Sequence, residues 1–173
     1  MKKILILLII ISSAFAAIAQ NTTARLTIES GSSIYFNINT FDKYTNGVEY
    51  TNWTRFRVYF LDTTNAGAVT VQKWQLNVEA MSANIAGDAG NTLDLNTIEL
   101  IASCGDATPS GIVVLAGPGS ATKLLHTGNN NVSASLVQVT YYCGQSKTVT
   151  NELIGKQPDH YTVDIVYTLE RDP

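Results

Sequence analysis

Apolar and polar residues alternate with a period of two along most of this chain. Ala24, Leu26 and Ile28 alternate with Thr23, Arg25 and Thr27, and Ile34, Phe36 and Ile38 repeat the pattern after Gly31-Ser32-Ser33. Phe56, Val58 and Phe60 alternate with Arg55, Arg57 and Tyr59; Trp74, Leu76, Val78 and Ala80 alternate with Lys73, Gln75, Asn77 and Glu79. In the run from Tyr161, residues Tyr161, Val163, Ile165, Tyr167 and Leu169 share one face, with Thr162, Asp164 and Thr168 on the other. Alternation of this kind, rich in β-branched and aromatic residues, predicts strands buried on one face. Leu93–Leu95, Ile98–Ala102, Ile112–Leu115 and Val132–Cys143 are further expected strands. Nowhere do apolar residues recur at helical spacing over three turns.

Turn-forming clusters separate these runs: Asn46-Gly47, Asn65-Ala66-Gly67, Gly87-Asp88-Ala89-Gly90, Gly117-Pro118-Gly119 and Gly128-Asn129-Asn130. Many short strands broken by such turns predict an all-β fold. The expectation is a single antiparallel β-sandwich, immunoglobulin-like or jelly-roll-like, over residues 20–173.

The N-terminus breaks the alternation. Met1-Lys2-Lys3 is positive, Ile4 to Phe15 is almost wholly apolar, and Ala17-Ile18-Ala19 is a small-x-small cleavage pattern. Residues 1–19 therefore read as a secretory signal peptide. The apolar run is too short for a stable bilayer span, Gln20 rather than a cysteine follows the cleavage site so no lipid-anchored start is expected, and no membrane insertion is expected after cleavage. The compartment is then extracytoplasmic. Removing two lysines shifts the net charge from −3 to about −5. With 14% charged residues and no basic run, nucleic acid is not an expected partner.

Export changes the meaning of the two cysteines. Cys104 and Cys143 form an even pair outside any C-x-x-C spacing, which in a secreted domain predicts one structural disulfide. Closing a loop of about 40 residues would stabilise the fold by ~4 kcal/mol in the chain-entropy picture.

Two short patterns resemble a known family. Trp74-Gln75-Leu76 and the run Tyr161…Ile165…Tyr167-Thr168-Leu169…Pro173 together resemble the WxL domain, an extracellular β-rich module of bacterial surface proteins. Trp74 and Leu76 match its proximal motif. Tyr161, Ile165, Leu169 and Pro173 match the distal one, with Tyr167 where the family has Trp. The resemblance implies a bacterial cell surface and non-covalent attachment to the wall. A strand-rich secreted domain ending in Tyr-Thr-Val-Asp-Ile-Val-Tyr also resembles pilus-type subunits. That likeness implies partners that are copies of itself, joined by strand exchange through a donor such as Gln20 to Ile28.

Candidate chemistry is sparse. Tyr35, Phe41, Tyr44, Tyr50 and Trp53 crowd one turn-rich region, and Tyr44, Tyr50 and Trp53 are candidate glycan contacts. An aromatic ring offers a sugar an apolar face and a polar rim, while Asn39, Asp42, Asn46, Glu49 and Asn52 supply hydrogen bonds. No catalytic residue is expected. His126 and His160 stand apart, Asp159-His160 places its side chains on opposite sides of an extended chain, and no serine sits in a nucleophile elbow. Asp88, Asp94, Glu99 and Asp106 are scattered. Gly87-Asp88-Ala89-Gly90-Asn91 lacks the graded spacing of a calcium loop, and Gly117-Pro118-Gly119-Ser120 lacks the lysine of a phosphate loop. Neither metal nor cofactor is expected. The sequence thus points to a secreted, non-enzymatic structural or adhesive module. Its expected partners are other surface proteins, copies of itself, or wall and other polysaccharides.

Overall fold

The alternating residues Phe56, Val58 and Phe60 lie in the longest strand. The computed structural model describes residues 22–36, 38, 40–62, 73–104, 111–118, 123–129, 132–144 and 153–171. Residues 1–21, which include the expected signal peptide and Gln20, and Pro173 lie outside them. The strands are β1 (Thr22–Ser30), β2 (Val48–Asp62), β3 (Lys73–Ala80), β4 (Asn84–Gly87), β5 (Thr92–Asp94), β6 (Ile98–Cys104), β7 (Val113–Val114), β8 (Lys123–Asn129), β9 (Val132–Cys143), β10 (Tyr161–Thr162) and β11 (Ile165–Arg171). A short helix, α1 (Phe41–Asn46), precedes β2.

Every strand pairing is antiparallel, and the protein is all-β as its alternation predicts. Among the described residues there are three sheets: β1-β2-β9-β6-β7, β11-β3-β8 and β10-β4-β5. The expectation of a single sandwich did not include the third. It arises because the ribbon of β3 and β11 bends. Ala80 pairs with Ile165, the backbone N–H of Met81 then donates to Asp164 O at 2.9 Å, and pairing resumes at Ala86 and Thr162. The run Tyr161–Leu169 is therefore two strands in two sheets. Its one-sided face survives the bend, since Tyr161, Val163, Ile165, Tyr167 and Leu169 all pack against the core.

One core joins the three sheets. Phe56, Val58 and Phe60 of β2 are fully buried with Leu100, Val137 and Val139, and meet Leu76 and Val78 of β3 together with Ile85 and Leu93 of the small sheet. Each such side chain contributes roughly 1.5–3 kcal/mol of hydrophobic stabilisation. The Phe56 and Tyr167 rings lie 4.7 Å apart across the layers, and Arg171 Nε reaches buried Asp62 Oδ2 at 3.2 Å. The halves of the WxL-like pattern meet here, with Leu76 opposite Leu169 and Trp74 opposite Arg171. Trp74 and Leu76 are core residues.

The expected disulfide is absent: Cys104 and Cys143 are both free thiols. The register gives the reason. In the pairing of β6 with β9, Cys104 stands opposite Val137 and Cys143 opposite Ile98. The two cysteines therefore sit at opposite ends of the same strand pair, about 20 Å apart at ~3.3 Å per residue. A disulfide needs Cα atoms within about 7 Å. Cys104 Sγ instead contacts Ser135 Oγ at 2.9 Å, and burial pushes the Cys143 thiol up to about 12.

Candidate carbohydrate-binding surface

The aromatic region is organised by a break in β2. Tyr50 pairs with Tyr141 and Thr54 with Val139, so Thr51, Asn52 and Trp53 stand against Thr140 alone. This is a special bulge, three residues against one, a feature that re-aims side chains. Asn52 sits in the left-handed region at φ 51°, which asparagine tolerates better than most residues. The Thr140 hydroxyl fills the gap by accepting from Asn52 N at 2.9 Å.

The segment after β1 folds back over this bulge. Gly31 turns the chain at φ 69°, and a Cβ there would collide with the Trp53 carbonyl, so the position admits no side chain. Three side chains then pin the segment. Thr54 Oγ1 donates to Gly31 O at 2.7 Å, Trp53 Nε1 to Ser33 O at 2.9 Å, and Tyr50 Oη to Tyr35 O at 3.0 Å. Residues 31–36 are not a regular strand, contrary to their alternation, because these bonds come from side chains of β2 rather than from a neighbouring backbone. Their alternation still sorts the faces. Ile34 and Phe36 lean on the core while Tyr35 is 68% exposed.

The result is an aromatic strip made of two ring groups, linked by the hydrogen bond from Tyr50 Oη to the Tyr35 carbonyl. Tyr50 lies edge-on to both Phe36, at 5.4 Å between centroids, and Trp53, at 5.1 Å. The exposed Tyr35 ring stacks at 6.4 Å on His160, whose Nδ1 is 3.4 Å from Asp88 Oδ2. The His160 end is fixed by a clamp. Asp159 accepts from Ala89 N and from Asn91 Nδ2 at 3.0 Å, and a Cβ on Gly87 would strike the Asp159 carboxylate. The Asn91 hydrogen bond, helped by the His160 and Ala89 backbone amides, holds the Asp159 carboxyl below its usual range.

The structure brings together two of the three sequence candidates. Tyr50 and Trp53 touch, whereas Tyr44 on α1 turns away and donates to Lys156 O at 2.8 Å. The polar residues nominated alongside them are engaged within the protein: Asn46 Nδ2 with Asp42 Oδ1, Glu49 Oε1 with Thr51, and Asn52 with Thr140. Asn39 lies outside the described residues. Phe36 and His160 had been missed. No local signal marks His160, which reaches the strip only through the fold.

The other chemistry considered from the sequence stays dispersed. Asp94 faces Lys156 at 3.7 Å, Glu99 is buried in β6, and Asp106 lies outside the described residues. Among the described residues no three His, Cys, Asp or Glu side chains gather into a metal-binding group, and no helix is long and apolar enough to cross a membrane. Chemically the strip offers ring faces, with the polar atoms of Trp53 and Tyr50 already used, bordered by a carboxylate and an imidazole. That suits apolar stacking with a few hydrogen bonds. No family model and no curated protein matches this chain.

Proposed function

We propose that this chain is a non-catalytic module of the bacterial cell surface that adheres to polysaccharide through the strip formed by Trp53, Tyr50, Tyr35 and His160. The observation that carries the reading is the pinning of the exposed Trp53 ring and of the half-buried Tyr50 ring beside it. Trp53 and Tyr50 spend their polar atoms on backbone carbonyls, so their orientations are set before any ligand arrives. Preorganised rings lose little entropy on binding, which is how shallow aromatic surfaces hold sugars. The secretory leader and the WxL-like pattern support residence outside the cytoplasm. An immunoglobulin-like or jelly-roll-like sandwich remains the proposed class for the two larger facing sheets.

Retention on immobilised polysaccharides, purified peptidoglycan among them, tests the proposal. Tyr35→Ala removes a side chain that makes only a ring contact, so its melting temperature is expected to stay put while retention falls roughly tenfold, equivalent to ~1.4 kcal/mol. Trp53→Ala is expected to lose retention as well, with some loss of stability because Ser33 O loses its donor. Met81→Ala, an exposed apolar residue in the bend between β3 and β4, is the control and is expected to bind normally. Unchanged retention in both strip variants, or no retention of the wild type on any glycan, refutes the reading.

A further inference from the structure

The outer edge of β1 is self-complementary, and from it we infer that two copies of this chain pair edge to edge through antiparallel β1 strands centred on Thr27. β1 ends the five-stranded sheet, with no strand beyond it among the described residues. It is nine residues long, contains no proline, and so leaves a row of backbone groups free on one side. Soluble proteins normally blunt such an edge. Here the protection is one bulge near Glu29 and two charges of opposite sign.

Those charges set the register. In an antiparallel pair related by a two-fold axis at Thr27, residues whose numbers add up to twice 27 face each other. Arg25 then stands opposite Glu29 of the second copy, and Glu29 opposite its Arg25. The two side chains lie on the same face of the sheet. Arg25 pairs with Tyr59, and Glu29 reaches Arg57, whose own partner is Thr27. The same axis sets Leu26 opposite Ile28. Both lie on the face whose β2 partners, Val58 and Phe56, are fully buried, yet Ile28 is 51% exposed. The single chain leaves that apolar side chain uncovered, and the second copy's Leu26 covers it.

No other register does both. A centre one residue away in either direction sets Arg25 against Thr27 or against Gly31, and sets Glu29 against Thr23 or Thr27, without a cation from the partner. Within the described residues Arg25 has no ion pair, whereas Glu29 is already held by Arg57 at 2.5 Å. Pairing gives Arg25 an anion and places Glu29 between two guanidinium groups. The arrangement is isologous, so it closes at two copies and does not propagate. It also keeps β1 on its own β2, which separates it from strand exchange.

Sedimentation velocity of the purified protein over a wide concentration range tests the inference. The wild type is expected to show a reversible monomer–dimer equilibrium. Arg25→Glu turns both cross-strand attractions into repulsions and is expected to weaken the dimer roughly 30-fold or more. Glu29→Lys is expected to do the same. An equimolar mixture of the two variants restores opposite charges at both positions, so a heterodimer is expected where neither variant dimerises alone. Thr27→Lys sets two cations face to face at the axis and provides a variant that keeps both Arg25 and Glu29. Circular dichroism and melting curves confirm folding of each variant. A wild type that stays monomeric overturns the inference, as do variants that dimerise like the wild type. Open-ended polymers overturn it in favour of strand exchange.

Discussion

Adding one methyl group to β8 is expected to unseat the largest residue of the core. Gly128 stands opposite Trp74 in the pairing of β3 with β8, and a Cβ at that position would lie inside the indole ring. Trp74 is 1% exposed, so it has no free space to retreat into. If Gly128→Ala expelled the ring, the loss would be about 150–250 Å² of burial at ~25 cal/mol per Å², or roughly 4–6 kcal/mol. Relaxation of a crowded core normally recovers part of that, leaving about 1–3 kcal/mol for overpacking. The expected cost is therefore ~3 kcal/mol, at the upper end, because the obstacle is a rigid bicyclic ring. For a domain of this length that lowers the melting temperature by roughly 6–12 °C. Urea titration followed by tryptophan fluorescence measures it. Gly111→Ala provides the comparison: nothing lies within 4 Å of its Cβ, and no change is expected. Combining Gly128→Ala with Trp74→Phe should cost less than the sum of the two, since the smaller ring vacates the contested volume. A Gly128→Ala variant as stable as Gly111→Ala would refute the argument, because the indole could not then lie over residue 128.

Two further outcomes follow from buried groups. Thiol labelling of the native protein is expected to modify half-buried Cys104 and spare Cys143, whose thiol is buried and pushed up to about 12; both should react after unfolding, and an unfolded, non-reduced protein without two free thiols would contradict the strand register. Burial lowers the pKa of His126 below its ordinary 6.5. Its contribution is then fully present above about pH 6.5 and lost as the pH falls below that value, because the unfolded chain takes up the proton more readily. Melting temperature measured from pH 8 to pH 5 should fall less steeply in His126→Leu than in the wild type, and equal slopes would show that His126 is not the group responsible.

Much of the core was legible because it depends on a period of two. Phe56, Val58 and Phe60 are buried, as alternation requires, and so are Val137, Val139 and Tyr141 in β9. What misled were residues with two meanings. Asn46-Gly47 reads as a hairpin turn, yet Asn46 ends a helix too short to show a helical repeat, and Gly47 at φ 73° is its C-cap. Gly128-Asn129 also reads as a turn, but Gly128 lies within a strand, small because Trp74 occupies the place of its side chain. The cysteines misled by parity. An even count in an exported chain suggests a bridge, but only the register of β6 against β9 shows that the two thiols cannot meet.

The candidate site was half visible for the same reason. Strand periodicity identifies residues that face the core, and a surface for ligands forms where that periodicity fails. In β2 burial alternates from Thr54 to Asp62, and the alternation stops at the bulge that exposes Trp53. The local density of aromatic residues revealed Tyr50 and Trp53, since both lie in one stretch of sequence. It gave no warning that Tyr44 points elsewhere, because that orientation depends on the carbonyl of Lys156, 112 residues away. Nor could it find His160, which is carried to Tyr35 by the turn that Asp159 clamps against β4 and β5. Substituting Asp159 should therefore disturb sugar binding without touching any ring: Asp159→Ala frees the turn, lets His160 leave Tyr35, and loosens one end of the strip. Such an effect would separate a preorganised surface from a mere cluster of exposed rings, for which the clamp would be irrelevant.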